Sequence, residues 1–254
     1  ISAVNNQDFP VISGNNVFWY DYRNGNYSAK PDIYWKNLTT GTIIKIFTEV
    51  GFGNGMNASG NRVVFPNPVG VNGANSDIFV YNVSTQVLTH LTNLSTNENY
   101  PSISGDRLVW SDNRNGNNDI YLYDFSNNTE KRLTTNSTHQ DWPDIDGDKV
   151  VYYDNRTGVN QIYLYNLSTN IETQITSGTS NKVFPKISGS KIVWQDSRNN
   201  NDIYVYDLIT NTEKGITNNP ASQLMPRISG NKVVWGDFRN SVWPASMGDI
   251  YQYD

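Results

Sequence analysis

Residues 112–124 read DNRNGNNDIYLYD. Four asparagines, three aspartates and an arginine share thirteen positions with two tyrosines. Taken alone, the stretch resembles a cation-binding loop or a cluster of catalytic carboxylates. Its recurrence argues for architecture. Related stretches are DYRNGNYSAKPDIYWKN from Asp21, DNRTGVNQIYLYN from Asp154, DSRNNNDIYVYD from Asp196 and DFRNSVWPASMGDIYQYD from Asp237. A weaker copy, NPVGVNGANSDIFVYN, begins at Asn67. Each follows an ISG-like turn and an apolar run, the turns starting at Ile12, Ala58, Ile103, Ile145, Ile187 and Ile228. Successive spacings are 46, 45, 42, 42 and 41 residues. Six copies at such a period mean a solenoid or a propeller.

Each unit reads as four short strands. In the third, they are expected over Pro101–Ser104, Arg107–Ser111, Asp119–Tyr123 and Glu130–Thr134. Gly105 and the Asn/Gly cluster at 115–118 punctuate them. The second strand, RLVW, is apolar at successive positions, as a strand buried on both faces must be. The fourth, EKRLT, is mostly polar and suits an outer edge guarded by lysine and arginine. Four-stranded units of this length, set around an axis, make an all-β, six-bladed β-propeller. The sixth unit stops at Asp254 after its third strand, and residues 1–11 match the tail of a unit. The reading is therefore one domain over 1–254, with residues 1–3 supplying the outer strand of the last blade.

The succession aromatic-Pro-x-Ile-Ser-Gly, a Val-Trp strand, Asp-x-Arg-Asn, Asp-Ile-Tyr-x-Tyr-Asp and a closing Leu-Thr resembles the repeats of TolB-type propellers. It is similar in particular to propeller modules in surface proteins of methanogenic archaea. That resemblance covers essentially the whole chain. It implies a fold rather than an activity, because such propellers serve as binding platforms, as parts of peptidases and as polysaccharide lyases.

Composition narrows the function. There is no cysteine, so no disulfide or thiolate metal site exists. Net charge is −5 with no basic block, which argues against nucleic acid. No apolar run is long enough for a transmembrane helix. The start, ISAVNNQDFP, lacks a signal peptide's basic and apolar regions and reads as a domain of something longer or a processed start. Nine Asn-x-Ser/Thr triplets, at Asn26, Asn37, Asn57, Asn82, Asn93, Asn127, Asn136, Asn155 and Asn166, are glycan acceptors if the protein is exported. Turn chemistry alone also generates such triplets. The expected location is extracellular, at the cell surface, as a monomeric domain.

Asp-x-Arg occurs in five of six units: Asp21/Arg23, Asp112/Arg114, Asp154/Arg156, Asp196/Arg198 and Asp237/Arg239. An active site needs one constellation rather than five, so these pairs read as hairpin braces. Calcium is the sharper alternative, through Asp112, Asn115, Asn117 and Asp119. The spacing does not match an EF-hand, and an arginine inside the loop opposes a cation. No cofactor is expected. An enzyme reading has little to stand on: there is no Gly-x-Ser-x-Gly elbow, and the two histidines, His90 and His139, lie in different units. Asp141 and Asp144 are the nearest approach to an acid/base pair.

Function on a repeat belongs where the repeats differ. The loop from the first aspartate position to the residue before Ile spans 7, 7 and 6 positions in units three to five. In units six, one and two it spans 12, 11 and 10. This longer arc carries Tyr27, Val69, Val71, Trp243 and Met247, joined by Phe52 from the connection after unit one. Apolar side chains on surface loops make a binding surface, although loop drift gives the same pattern. A second candidate is the residue before each inner-strand proline: Phe9, Tyr100, Trp142, Phe184 and Met225, with Gly55 in the second unit. The aromatics suit stacking on a sugar or gripping a peptide, or else they fix the course of the chain. The expected function is a non-enzymatic recognition or scaffold module binding protein or glycan on its loop face. The competing readings are a carbohydrate-active enzyme and a multivalent lectin.

Trp243→Ala separates binding from drift on the arc. A binding Trp243 costs about 1–3 kcal/mol of partner affinity and leaves unfolding unchanged. A packed one lowers unfolding stability by about 3 kcal/mol or more, which thermal unfolding measures without knowledge of the ligand.

Overall fold

The computed structural model describes residues 6–23, 30–48, 50–51, 55–69, 75–240 and 248–254. The chain has the expected fold class, all-β and six-bladed. Five antiparallel sheets have four strands in simple sequential order. The first comprises Gln7–Ser13, Asn16–Asp21, Asp32–Asn37 and Ile43–Phe47; the second Asn57–Ser59, Arg62–Val69, Asn75–Asn82 and Val87–His90. The third comprises Glu98–Ser104, Arg107–Asp112, Asp119–Asp124 and Thr129–Arg132; the fourth Gln140–Asp146, Lys149–Asp154, Gln161–Asn166 and Ile171–Gln174. The fifth comprises Lys182–Ser188, Lys191–Asp196, Asp202–Asp207 and Thr212–Gly215. The sixth has three described strands, Gln223–Ser229, Lys232–Asp237 and Asp249–Tyr253. Residues 1–3, expected to complete it, lie outside the described residues. Two compact units divide the chain, 1–116 with 121–131, and 117–120 with 132–254.

Within each unit the core is made by second and third strands. In the first, Phe18, Ile33, Val63 and Phe65 form one cluster, and Val64, Ile78, Leu108 and Trp110 another. In the second, Val151, Ile162, Ile192 and Trp194 form one, and Val193, Ile203, Val233 and Trp235 another. Leu108, Val109 and Trp110 are all fully buried, so RLVW is covered on both faces as its continuous apolarity requires.

The inner strands begin three residues earlier than the sequence suggests, at Glu98 rather than Pro101 in the third blade. The aromatic-Pro pair lies within the ladder as a bulge: Val109 pairs with Ser102, but Ser111 pairs with Asn99. One extra residue on the inner strand is accommodated there.

The Asp-x-Arg motif closes the second strand in five of the six blades. Asp112 is fully buried and accepts hydrogen bonds from the Arg114 backbone N–H (2.9 Å), the Arg114 guanidinium (2.5 and 2.8 Å) and the Trp110 indole (3.2 Å). Arg114 lies over the Tyr121 ring, 4.1 Å from its centre, and reaches Glu130 on the outer strand at 2.6 Å. The arginine thus spans the blade from second strand to fourth. Arg156 repeats this with Asp154, Tyr163 and Glu172, and Arg198 with Asp196, Tyr204 and Glu213. Arg23 and Arg239 make the aspartate and tyrosine contacts with Asp21/Tyr34 and Asp237/Tyr251. Hydrogen bonds from Arg239 hold the Asp237 carboxyl at about 2. Burial alone would raise the carboxyls of Asp21 and Asp196, but donated hydrogen bonds bring both below the usual range.

The closing Leu-Thr also has a defined part. The hydroxyl oxygens of Thr92, Thr134, Thr176 and Thr217 accept from the backbone N–H of Ile78, Ile120, Ile162 and Ile203 at 2.8–2.9 Å. The arginine of EKRLT does more than guard an edge: Arg132 reaches back to buried Asp119 at 2.8 Å. The serine of the ISG turn works between blades. Ser13 accepts from the Gly60 N–H, Ser59 from Gly105 and Ser188 from Gly230, with Asp146 serving Gly189. Each of these glycines has φ between +57° and +59°, the left-handed region where a Cβ is unfavourable.

Asp112→Ala leaves the Trp110 indole and the Arg114 guanidinium without their acceptor. Chemical unfolding should register a loss of about 3–5 kcal/mol. Arg114→Ala should cost less, about 2 kcal/mol, because Asp112 keeps two neutral donors.

Candidate binding rim

The inner-strand bulge places five homologous side chains in an unusual backbone state. Phe9, Tyr100, Trp142, Phe184 and Met225 have φ between +50° and +55°. Positive φ is uncommon outside glycine and unfavourable for a bulky residue. At Gly55, the second blade's counterpart, φ is +100°. The following proline lacks an N–H, which suits it to a bulged position.

Phe9 keeps 69% and Met225 57% of their surface exposed; the other three are half-buried. In the first unit Phe9 meets Tyr20 edge-on at 6.0 Å. In the second, Trp142 and Phe184 meet edge-to-face, their ring centres 4.5 Å apart. Two residues further along the same strands, Lys186 Nζ donates to Asp144 Oδ1 at 2.9 Å. Asp144 Oδ2 also accepts from the Ile187 N–H at 2.9 Å. Burial draws the Lys186 ammonium below its usual range, with Asp144 opposing. Arg227 holds the homologous place in the sixth blade. It is exposed, and its guanidinium donates to the Pro226 carbonyl oxygen at 3.0 Å. Aromatic, cationic and anionic groups thus sit on consecutive inner strands of this unit.

The sequence paired Asp141 with Asp144 as an acid/base candidate. Each belongs to a different network. Asp141 accepts from Asn118 (3.0 Å), from Tyr153 (3.4 Å) and from the Trp142 N–H (2.9 Å). It therefore fixes the backbone of Trp142. Sequence reasoning missed this positioning contact, which needs three separate strands or turns to converge.

Of the long-loop arc, Tyr27, Phe52, Val71, Trp243 and Met247 lie outside the described residues. Its base is described. The second blade's central hairpin runs two pairs further than its counterparts, through Pro68↔Ser76 and Val69↔Asn75. Gly51 donates to Asn67 Oδ1 at 2.8 Å and lies so close to Pro68 that an added Cβ would stand 2.3 Å from its ring. The chain before residue 52 is thereby held against this hairpin.

The calcium candidates are engaged elsewhere: Asp112 with Arg114, Asp119 with Arg132, and Asn117 Nδ2 donating to the Thr138 carbonyl at 2.7 Å. Among the described residues no group of three or more His, Cys, Asp or Glu side chains is arranged to hold a metal ion. Five of the glycan-acceptor asparagines, Asn37, Asn82, Asn127, Asn136 and Asn166, accept backbone N–H bonds within their own turns. Asp124 and Asp207 do the same in the third and fifth blades, so turn chemistry accounts for these positions. Depressions of about 380, 420 and 540 Å³ open elsewhere, lined by Lys191 and Tyr253, by Asn16 and Trp35, and by Ser180 and Arg198 respectively.

A family model described as TolB beta propeller domain matches residues 12–188 and 69–235. Among solved structures, the chain is similar to a putative TolB from Agrobacterium tumefaciens: 19% identity, 83% of this chain and 80% of that one, TM-score 0.60. It is similar also to the acylaminoacyl peptidase of Pyrococcus horikoshii, at 14% identity and TM-score 0.70. That match covers 98% of this chain and 44% of the peptidase. A third similar structure is a chain of a nidogen/laminin complex, at 15% identity over 78% of this chain and 74% of that one, TM-score 0.56. A search of curated protein sequences returns no match.

Phe9→Gly tests what the rim aromatics are kept for. Removing an exposed ring from a left-handed position should change unfolding stability by less than about 1 kcal/mol, strain relief offsetting the entropy of glycine. A loss near the 3–5 kcal/mol typical of buried aromatics would make the ring structural.

Proposed function

Because the chain belongs to the TolB β-propeller family, we propose that it is a non-enzymatic recognition and scaffold module whose inner-strand rim binds a partner protein segment. One observation carries this reading: large side chains recur at a backbone conformation that disfavours them, and two of them are exposed. Fold stability does not require an aromatic there, since Gly55 serves in the second blade. Aromatic anchors beside fixed charges are what concentrated binding energy calls for. Trp142 and Phe184 supply the anchor, while Lys186, Asp144 and Arg227 supply polar recognition. The similarity to a chain of a nidogen/laminin complex supports a role in protein association by analogy of fold.

Location at the cell surface is part of the proposal. It is supported by the cysteine-free, turn-rich composition and by the resemblance to archaeal surface modules. A glycan ligand on the same rim is the second reading, favoured by the stacking faces of Trp142 and Phe184.

A peptide array and a glycan array, each read with the purified domain, distinguish the two. The double variant Trp142→Ala/Phe184→Ala should lose about 1–3 kcal/mol of peptide affinity for each anchor removed. Unchanged peptide binding would remove the rim from consideration. Several equivalent bound sugars would move the assignment to a lectin.

A further inference from the structure

The second residue before each rim side chain is polar, and in the second unit its backbone N–H ties the inner strand to the blade before: Gln140, Lys182 and Gln223 donate to the carbonyl oxygens of Asn118, Asn160 and Asn201 at 2.8–2.9 Å. Three of these residues are glutamines, Gln7, Gln140 and Gln223; the fifth blade has Lys182 and the third Glu98. Gln140, Gln223, Lys182 and Glu98 are all buried. The amides of Gln140 and Gln223 donate to the carbonyl oxygen two residues earlier. In the fifth blade the lysine has a counter-charge and acceptors: Lys182 Nζ lies 4.0 Å from Asp196 and donates to the Ser180 carbonyl oxygen and Oγ, each at 2.9 Å.

No such compensation accompanies Glu98. Asp77 precedes it on the neighbouring third strand, and Asp112 ends the second strand of its own blade, and all three carboxyls are fully buried. His90, from the outer strand of the second blade, pairs with Asp77, whose other oxygen faces the Leu94 N–H. Arg114 and the Trp110 indole are both directed at Asp112. The hydroxyls that donate to Glu98 are neutral: Thr92 Oγ1 donates to Oε2 at 3.1 Å and Thr96 Oγ1 to Oε1 at 2.9 Å. Among the described residues a third buried negative charge here has no cation of its own.

We propose that Glu98 is a proton-holding latch between the second and third blades, taking the part of glutamine when protonated and loosening the joint when it ionises. Burial pushes its carboxyl up to about 8, Asp112 and a hydrogen bond with Asp77 adding to the rise while Thr96 and Thr92 oppose it. An acid raised on folding holds its proton in the native state while the unfolded chain, near the ordinary glutamate value, has lost it. Its stabilisation is therefore complete below about pH 4.5 and is lost as pH rises through about 8.

Unfolding of the purified chain between pH 5 and 9 tests this. The wild type should lose stability with rising pH, the unfolding constant growing by up to about tenfold per unit within the window. Glu98→Gln should remove that component and leave the variant more stable than wild type at pH 8.5. The latch is overturned if the variant follows the wild-type profile. It is overturned also if calcium stabilises the wild type and not the variant at pH 8.5, which would make the cluster a cation site. Should Glu98→Gln fail to fold, infrared spectroscopy of the wild type decides: a protonated carboxyl band must disappear as pH rises through about 8. Its absence at pH 6 sinks the proposal.

Discussion

A buried carboxylate at the end of the second strand, present in five of the six blades, is the constraint on which those blades depend. Removed from water, it must find donors. The structure supplies a backbone N–H two residues on, a guanidinium from the same residue and, in four blades, an indole N–H two residues back. The arginine can be aimed so sharply because the third-strand tyrosine offers its ring face, and outer-strand Glu130, Glu172 and Glu213 take the free end in three blades. Trp-x-Asp-x-Arg and Asp-Ile-Tyr recur together because they are parts of one network. The fourth blade, with Tyr152 where four blades have tryptophan and the second has Phe65, redirects the donor: Tyr152 Oη donates to Glu172.

A second network couples third and fourth strands. Asp32 faces Lys45, Asp77 faces His90 and Asp119 faces Arg132. Where the aspartate becomes Gln161, the fourth strand carries Gln174. Its amide donates to the Thr176 carbonyl, the bond that Arg132 makes to Thr134. Charge is exchanged for amide on both strands at once, because one buried charge without the other would be expensive. Glu98 departs from this balance, and it draws the Thr92 hydroxyl away from the third-strand residue that Thr176 and Thr217 serve in their own blades.

The rim follows a different rule. Its bulge recurs in five blades, and its side chains are large where backbone geometry favours glycine. These positions run against local preference without an evident gain in burial at Phe9 and Met225. The ladder on either side of the bulge holds the exposed residue in place.

The period of the ISG turns determined the number of blades, and unbroken apolarity in RLVW determined which strands are covered on both faces. Those features are local, so they are legible in one dimension. The multiplicity of Asp-x-Arg was likewise enough to direct the motif toward bracing. Tertiary structure decided what spacing cannot express. The aromatic-Pro pair read as the entrance to the inner strand, yet it lies within that strand, because a bulge keeps the ladder paired on both sides of it. Arg132 read as an edge guard, yet it pairs with the buried carboxylate of Asp119 on the neighbouring third strand. Nothing along the chain singles out Glu98. Only the convergence of Asp77 and Asp112 on it makes its charge matter, because electrostatic cost depends on distance and burial rather than on order along the chain.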